Sequence, residues 1–464
     1  MKARKVHIIS LGCPKNLVDS EVMAALLSKS GYCITLHEDK ADVILINTCA
    51  FILPAKEESI DEILRIVEWK KQDALHCTRL VVTGCLPQRY GRILEKELPE
   101  VDLFLGISEV PKIAKRLDSL CFNKHPGRRS IIGKPIFLMD AHCPRLITTP
   151  FFTAYLKIAD GCSNRCSYCV IPEIRGKARS RPIDDILTEA ERLVRGGVKE
   201  LIITAQDTTA YGRDLKGKPT LNHLLQKLAS IKDINWLRLL YTHPAGLNDD
   251  TFKIIANEER ICNYIDIPIQ HMDDEILAAM NRRGGSNLIR KTMKQARDLI
   301  PDVALRTSII VGFPGETHTK FNRLLSSIKE IRFDHLGVFA YSREEGTKAA
   351  SCPDRISEKE KETRRQLVME EQAVVSYDIN QSLIGSMQEV LIEGKSETAD
   401  FPYIGRCRRQ APDIDGITYV KGANLTTGDM IICTITAASD YDLFAEVKQT
   451  EGGAALLWTP RVSA

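Results

Sequence analysis

The chain has 464 residues, enough for about three domains at roughly 150 residues each. A composition that is 44% hydrophobic and 27% charged is that of a globular protein and excludes wholesale disorder. With 64 Lys+Arg against 61 Asp+Glu the net charge is only +3, which excludes a generic, strongly basic nucleic-acid binder.

No apolar run approaches the roughly 18 residues that a bilayer crossing needs, and the N-terminal stretch up to Gly12-Cys13-Pro14-Lys15 reads as a first strand, not a signal peptide. The 14 cysteines are too sparse for a disulfide scaffold. Their spacing points instead to metal chemistry or catalysis, with the cytoplasm as the expected location.

In chain order, Val6–Ser10, Val43–Asn47 and Leu80–Thr83 are short apolar runs with β-branched residues, separated by amphipathic stretches such as Asp19–Lys29 and Ser59–Lys70. That rhythm predicts a doubly wound parallel sheet with helices on both faces. Each run leads into a cysteine (Cys13, Cys49, Cys85), and both separations are 36 residues. Equal phase predicts that the three thiols meet at the carboxyl edge of the sheet, where open α/β sheets bind ligands. A Pro- and Gly-rich stretch over 123–147 reads as a linker.

A second βα series follows, with strands expected at Tyr155–Ile158, Glu200–Thr204, Trp236–Leu240, Tyr264–Pro268, Val303–Val311 and His335–Ala340. Six such units predict a TIM-like, partial β/α barrel with its site at the strand C-termini. Ser357 and Glu360 have capping-box spacing before a charged helix reaching about Asn380. Short β-type runs at Glu389–Ile392, Tyr403–Arg406, Thr418–Val420, Met430–Thr436 and Asp442–Val447 then predict a small C-terminal antiparallel barrel. The expected domains are therefore 1–122, 148–375 and 376–450, with a loose tail over 451–464.

The sharpest signal is Cys162-Ser163-Asn164-Arg165-Cys166-Ser167-Tyr168-Cys169, placed just after the first barrel strand. Three thiolates in C-x3-C-x2-C spacing can hold three irons of a cubane whose full ligation takes four, leaving one iron open. A zinc knuckle would want a fourth Cys or His nearby, and Val170-Ile171-Pro172-Glu173 offers none. The remaining cysteines (Cys33, Cys77, Cys121, Cys143, Cys262, Cys352, Cys407 and Cys433) form no comparable pattern and read as packing or surface residues.

The Cys162/Cys166/Cys169 motif resembles that of the radical S-adenosylmethionine enzymes. Gly12-Cys13-Pro14-Lys15-Asn16, Asn47-Thr48-Cys49-Ala50 and Thr83-Gly84-Cys85-Leu86-Pro87-Gln88 resemble the N-terminal domain of the methylthiotransferases within that superfamily. The segments Ile171–Lys177, Ser180-Arg181-Pro182 and Gly312-Phe313-Pro314-Gly315-Glu316 extend the likeness, and the C-terminal barrel looks like a TRAM domain. The resemblance implies two 4Fe–4S clusters, one on Cys13, Cys49 and Cys85 and one on Cys162, Cys166 and Cys169. The second would bind S-adenosylmethionine, which serves as both methyl donor and radical source. It also implies an electron donor such as a flavodoxin or ferredoxin, and the chemistry needs water excluded, which a barrel mouth capped by both flanking domains could achieve. Arg175, Lys177, Arg179 and Arg181 read as a basic segment that could steer an anionic cofactor or substrate, or else as a solvated loop.

Members of this family modify adenosine in tRNA or an aspartate of a small-subunit ribosomal protein. Ala205-Gln206-Asp207-Thr208 and Asp266-Ile267-Pro268-Ile269-Gln270-His271 resemble the aspartate-modifying branch, with Gln206 and Asp207 as candidate cofactor or substrate contacts. Residues 376–464 carry twelve acidic and seven basic side chains, a net −5 that repels phosphate and suits a basic protein partner. Arg406, Arg408 and Arg409 form a small basic cluster that could still touch RNA. The expected target is thus an aspartate β-carbon in the twelfth small-subunit protein, with a tRNA adenosine methylthiotransferase as the alternative.

Overall fold

The computed structural model describes residues 3–72, 79–122, 129–353 and 356–448. Cys77 and the expected tail lie outside these residues.

The N-terminal sheet comprises β1 (Lys5–Ser10), β2 (Cys33–Ile34), β3 (Val43–Thr48), β4 (Arg79–Gly84), β5 (Leu103–Leu105) and β6 (Ser130–Ile131), in the order β2-β1-β3-β4-β5-β6. All pairs are parallel. Helices α1 (Pro14–Lys29), α2 (Leu53–Lys71), α3 (Cys85–Glu97) and α4 (Ile113–Phe122) cover it. Val43–Thr48 is buried throughout because both faces are covered, as parallel sheets require. Leu45 and Val81 enter one apolar cluster while Ile44, Ile46 and Val82 enter another. The sixth strand falls inside the stretch expected to be a linker. Its two residues add to the sheet edge through Phe104–Ser130 and Leu105–Ile131, too short a run to register as a strand in sequence.

The central domain contains β7 (Thr153–Lys157), the small pair β8 (Ala159–Asp160) and β9 (Arg179–Ser180), then β10 (Glu200–Thr204), β11 (Trp236–Leu239), β12 (Ile261–Asp266), β13 (Ala304–Val311) and β14 (His335–Ala340). Six of these form an open parallel sheet, β14-β13-β12-β11-β10-β7, which is the expected partial barrel. Its helices are α5 (Ile171–Arg175), α6 (Ile183–Arg195), α7 (Leu221–Ala229), α8 (Asp249–Asn257), α9 (Asp274–Ala279), α10 (Gly285–Leu299) and α11 (His318–Ile331). Among the described residues no helix is long and apolar enough to cross a membrane.

Helix α12 (Glu358–Ser382) starts at Ser357, whose hydroxyl accepts from the Glu360 amide at 3.2 Å. The return half of the box is absent, because Glu360 binds Arg364 at 2.8 Å instead. The expected boundary at 375/376 falls inside this continuous helix, which leads into β15 (Met387–Lys395), β16 (Tyr403–Cys407), β17 (Thr418–Lys421), β18 (Met430–Ala438) and β19 (Leu443–Val447). These close into a barrel in the order β15-β16-β17-β19-β18. One expectation is corrected: β17 and β19 pair in parallel. A closed ring of five strands cannot alternate direction all the way round, so at least one pair has to be parallel.

The C-terminal barrel packs under the central one, at the N-terminal ends of its strands. Arg408 donates to the carbonyls of Glu259 and Ile261, and Arg409 to that of Asp302. Arg406 is buried against Glu200 at 2.6 Å, with Arg238 on the same carboxylate. The basic cluster is therefore consumed inside the molecule and is not a free RNA-binding patch. Nor does this module cap the end of the barrel where the cysteines lie.

Glu389 of β15 sits at this interface, and burial pushes its carboxyl up to about 7 against the pull of Arg408. An unfolded glutamate ionises near pH 4.3. The folded state therefore retains a proton that the unfolded state has lost, and stability falls as pH rises from about 4 to 7. Glu389→Gln is expected to flatten that decline and to raise the urea midpoint above the parent's at about pH 8. Identical pH profiles would contradict the assignment.

Candidate metal centres at the domain junction

The first three thiols come together at the carboxyl edge of adjacent strands. Cys13 caps the N-terminus of α1 after β1, Cys49 follows β3 directly, and Cys85 opens α3 after β4. The 36-residue spacing between Cys49 and Cys85 is the register of β3 on β4, where Asn47 pairs with Thr83 and Thr48 with Gly84. The edge is held by side chains. Asn16 donates to the carbonyls of Leu11, Asn47 and Thr48, and the Ser59 hydroxyl meets the backbone of Cys49 at 3.1 and 3.0 Å. A Cβ on Gly12, whose φ is +86°, would stand 2.9 Å from the Cys49 sulfur, so only glycine lets the loop pass this close.

The second trio lies on the loop after β8. Gly161, with φ +77°, has no room for a Cβ, which would meet the Lys177 carbonyl at 2.3 Å. The Cys162 amide donates to Gly176 and that of Cys169 to Cys166, while Ser167 ties the loop to Ala279 and Met280. A cleft beside Cys162 is lined by Ser163, Asn164, Asp207, Tyr211 and Arg213. Asp207 thus reaches the cleft, held by Asn164 at 2.7 Å and Thr209 at 2.6 Å. Gln206 does not line it. Its amide donates at 2.9 Å to Asp160 and its oxygen is left buried without a partner.

Both trios are chemically suited to a metal cluster. Burial pushes Cys49 and Cys169 up to about 12 and Cys162 to about 11, and neighbouring thiols add to the rise within each trio. Burial also raises Cys85, against the pull of Arg175. Cys13 runs the other way: its burial is outweighed by Lys15, Arg175 and the backbone N–H groups of its helix start. Crowded thiols that resist ionisation on their own become thiolates when a metal supplies the missing charge. Among the described residues no three His, Cys, Asp or Glu side chains are placed to hold one metal ion.

A buried ionic network joins the two trios. Asp19 of α1 receives Lys157 of β7 and, at 3.0 Å, Arg175 of α5. Asp160, two residues before Cys162, accepts Arg175 at 2.9 Å and Lys157 at 3.3 Å, and its carboxyl is held well below the usual range. Arg175 also reaches Asn16 at 3.1 Å and the Cys85 sulfur at 3.7 Å. Of the basic segment, then, Arg175 and Arg181 are buried in ion pairs, the latter with Glu189 and Asp185. Arg179 binds backbone carbonyls. Lys177 alone is exposed, so the segment as a whole does not act as a steering patch. Sequence reasoning missed Asp19 and Lys157. Their signal was a charge inside an otherwise buried run, Lys157 in the five-residue strand β7 and Asp19 on the buried side of α1.

Comparison with known proteins identifies the modules of the chain. Family models match residues 5–106 (uncharacterized protein family UPF0004), 156–328 (radical SAM superfamily) and 384–447 (TRAM domain). A solved radical S-adenosylmethionine methyltransferase, TsrM from Kitasatospora setae, shares the fold. Its TM-score is 0.54 at 13% identity, covering 86% of this chain and 82% of that one. The modules are those of a protein of the radical S-adenosylmethionine superfamily. Proteins named ribosomal protein uS12 methylthiotransferase RimO match nearly end to end. That of Syntrophus aciditrophicus is 64% identical over 450 residues, covering 96% of this chain and 99% of the relative. That of Geobacter sulfurreducens is 51% identical over 443 residues, covering 96% and 98%. The chain belongs to the RimO family of methylthiotransferases.

Replacing Arg175 with Met leaves Asp19 and Asp160 sharing one ammonium in a buried site. The expected loss is about 3–5 kcal/mol by urea denaturation. Arg175→Lys should recover part of it, and a variant as stable as the parent would show that the network does not hold the domains together.

Proposed function

We propose that this protein replaces a hydrogen on the β-carbon of an aspartate in ribosomal protein uS12 with a methylthio group. One S-adenosylmethionine provides the methyl, and a second the radical that takes the hydrogen. Cys13, Cys49 and Cys85 hold one 4Fe–4S cluster, and Cys162, Cys166 and Cys169 hold the other. Bound there, the clusters would supply the electron that cleaves S-adenosylmethionine and an open iron at which the transferred sulfur could be held. The observation that carries this reading is Arg175, which touches the Cys85 sulfur at 3.7 Å and Asp160, two residues from Cys162, at 2.9 Å. Through it, a side-chain contact links the N-terminal trio to the strand that leads into the second.

The chain's own residues bind, orient and exclude water. Asp207, fixed by Asn164 and Thr209, presents a carboxylate to the cleft beside Cys162. Gln206 steadies Asp160, so it acts on the site through that carboxylate. On the far rim, Glu344 binds Arg89 at 2.6 Å and Lys56 at 2.8 Å, closing the N-terminal domain against the loop after β14. Contacts of this kind hold the domains together beside the cleft, where exclusion of water would protect a radical. The uS12 names of the long, closely similar relatives support protein over tRNA as substrate. So does the intramolecular use of Arg406, Arg408 and Arg409, which leaves no free basic patch there for phosphate. A ribosomal substrate places the reaction in the cytoplasm, and the electron comes from a small donor of flavodoxin or ferredoxin type.

Anaerobically reconstituted protein is expected to add one methylthio group to uS12, read by mass spectrometry. Methylthioadenosine in tRNA with unchanged uS12 would refute the substrate. Cys162→Ala is expected to abolish S-adenosylmethionine cleavage and to drop bound iron from about eight to about four per chain. Retained cleavage would refute the ligand assignment.

A further inference from the structure

Eight lysine and arginine residues are buried among the described residues, and seven of them face a carboxylate of this chain. Lys15 is the exception. It is 6% exposed, no carboxylate of the described residues pairs with it, and its ammonium rests 3.3 Å from the centre of the Tyr241 ring. An aromatic face offsets only part of the cost of burying an ammonium.

Its position gives that missing partner a meaning. Lys15 stands two residues after Cys13 in the first turn of α1. Tyr241 lies just beyond the carboxyl end of β11 in the central barrel, with φ +58°. The Tyr241 amide donates to Asp266 at 2.9 Å, and its carbonyl accepts from Thr208, the neighbour of Asp207. Asp266 is itself paired with Arg306 at 2.9 Å, and no ion pair joins it to Lys15. The unpaired cation thus spans the first thiol trio and the loop that carries Asp207.

We propose that Lys15 is the receptor for the side-chain carboxylate of the target aspartate, a step that rests on the substrate reading above. The carboxylate completes the ion pair that the fold leaves open, and its adjoining β-carbon is thereby held where the two domains meet. The contact also gives a reason for choosing aspartate over its amide. Asparagine presents a dipole where the site holds a full charge, and leaves the ammonium unpaired.

The test uses reconstituted holoenzyme and fluorescently labelled uS12 peptides that carry either aspartate or asparagine at the target position, with affinity read by anisotropy. The parent is expected to favour the aspartate peptide by about thirty-fold or more, Lys15→Gln to bind both as the parent binds asparagine, and Lys15→Arg to keep a preference. S-Adenosylmethionine affinity and cluster reduction potentials are measured alongside. Reduced cofactor affinity in Lys15→Gln with intact peptide preference would assign the lysine to the methionine carboxylate and overturn the proposal. A shifted potential with intact preference would make it a counter-charge for Cys13, with the same consequence. If Lys15→Gln fails to take up iron, the parent and Lys15→Arg decide, and equal affinity for the two peptides refutes the proposal. A parent that neither binds nor modifies the aspartate peptide refutes the substrate reading itself.

Discussion

Two carboxylates and two cations buried between domains set the terms for everything around them. Asp19 belongs to the N-terminal domain, while Asp160, Lys157 and Arg175 belong to the barrel. Taking an ion out of water costs several kcal/mol even in a relaxed protein, so none of the four is tolerable without the others. Their charges sum to zero only when α1 is docked on β7 and α5. The docking geometry is therefore fixed by directional hydrogen bonds, which apolar contact alone could not achieve. Because Cys13 and Cys85 start helices on one side and Cys162 follows Asp160 on the other, the thiol trios inherit that geometry.

The opposite end of the barrel is sealed by the same kind of interaction for a different purpose. Glu200, at the foot of β10, holds Arg238 from its own domain and Arg406 from the C-terminal barrel. Asp415 reaches up to Tyr264 at 2.7 Å. Apolar packing runs through both contacts, since one cluster extends from Val6 through Tyr155 and Trp236 to Leu391 and Met430. The C-terminal module is thus a plug for the barrel floor, and the open mouth is left to the N-terminal domain.

Much of this was legible in the chain. Continuous apolar runs gave the parallel strands because both faces of each sheet are covered, and the five short C-terminal runs fell where strands form. The even spacing of Cys49 and Cys85 worked because it equals a strand register. Short pieces escaped. The two-residue strand Ser130–Ile131 carries no periodicity, and a helix running unbroken to Ser382 hides a change of domain. The basic segment 175–181 misled for a related reason, since charge in sequence says nothing about whether a partner waits inside.

By itself, then, the sequence determined where the two cysteine trios lie and which elements present them. Cysteine spacing and hydrophobic rhythm are local properties, written within tens of residues. Only the tertiary structure decided how those charges are spent: Arg175 and Arg406 inward on carboxylates, and Lys15 on an aromatic ring with no carboxylate of the described residues beside it. Ion pairing acts between groups 138 and 156 positions apart, such as Asp19 with Lys157 and Arg175, and no local pattern records it.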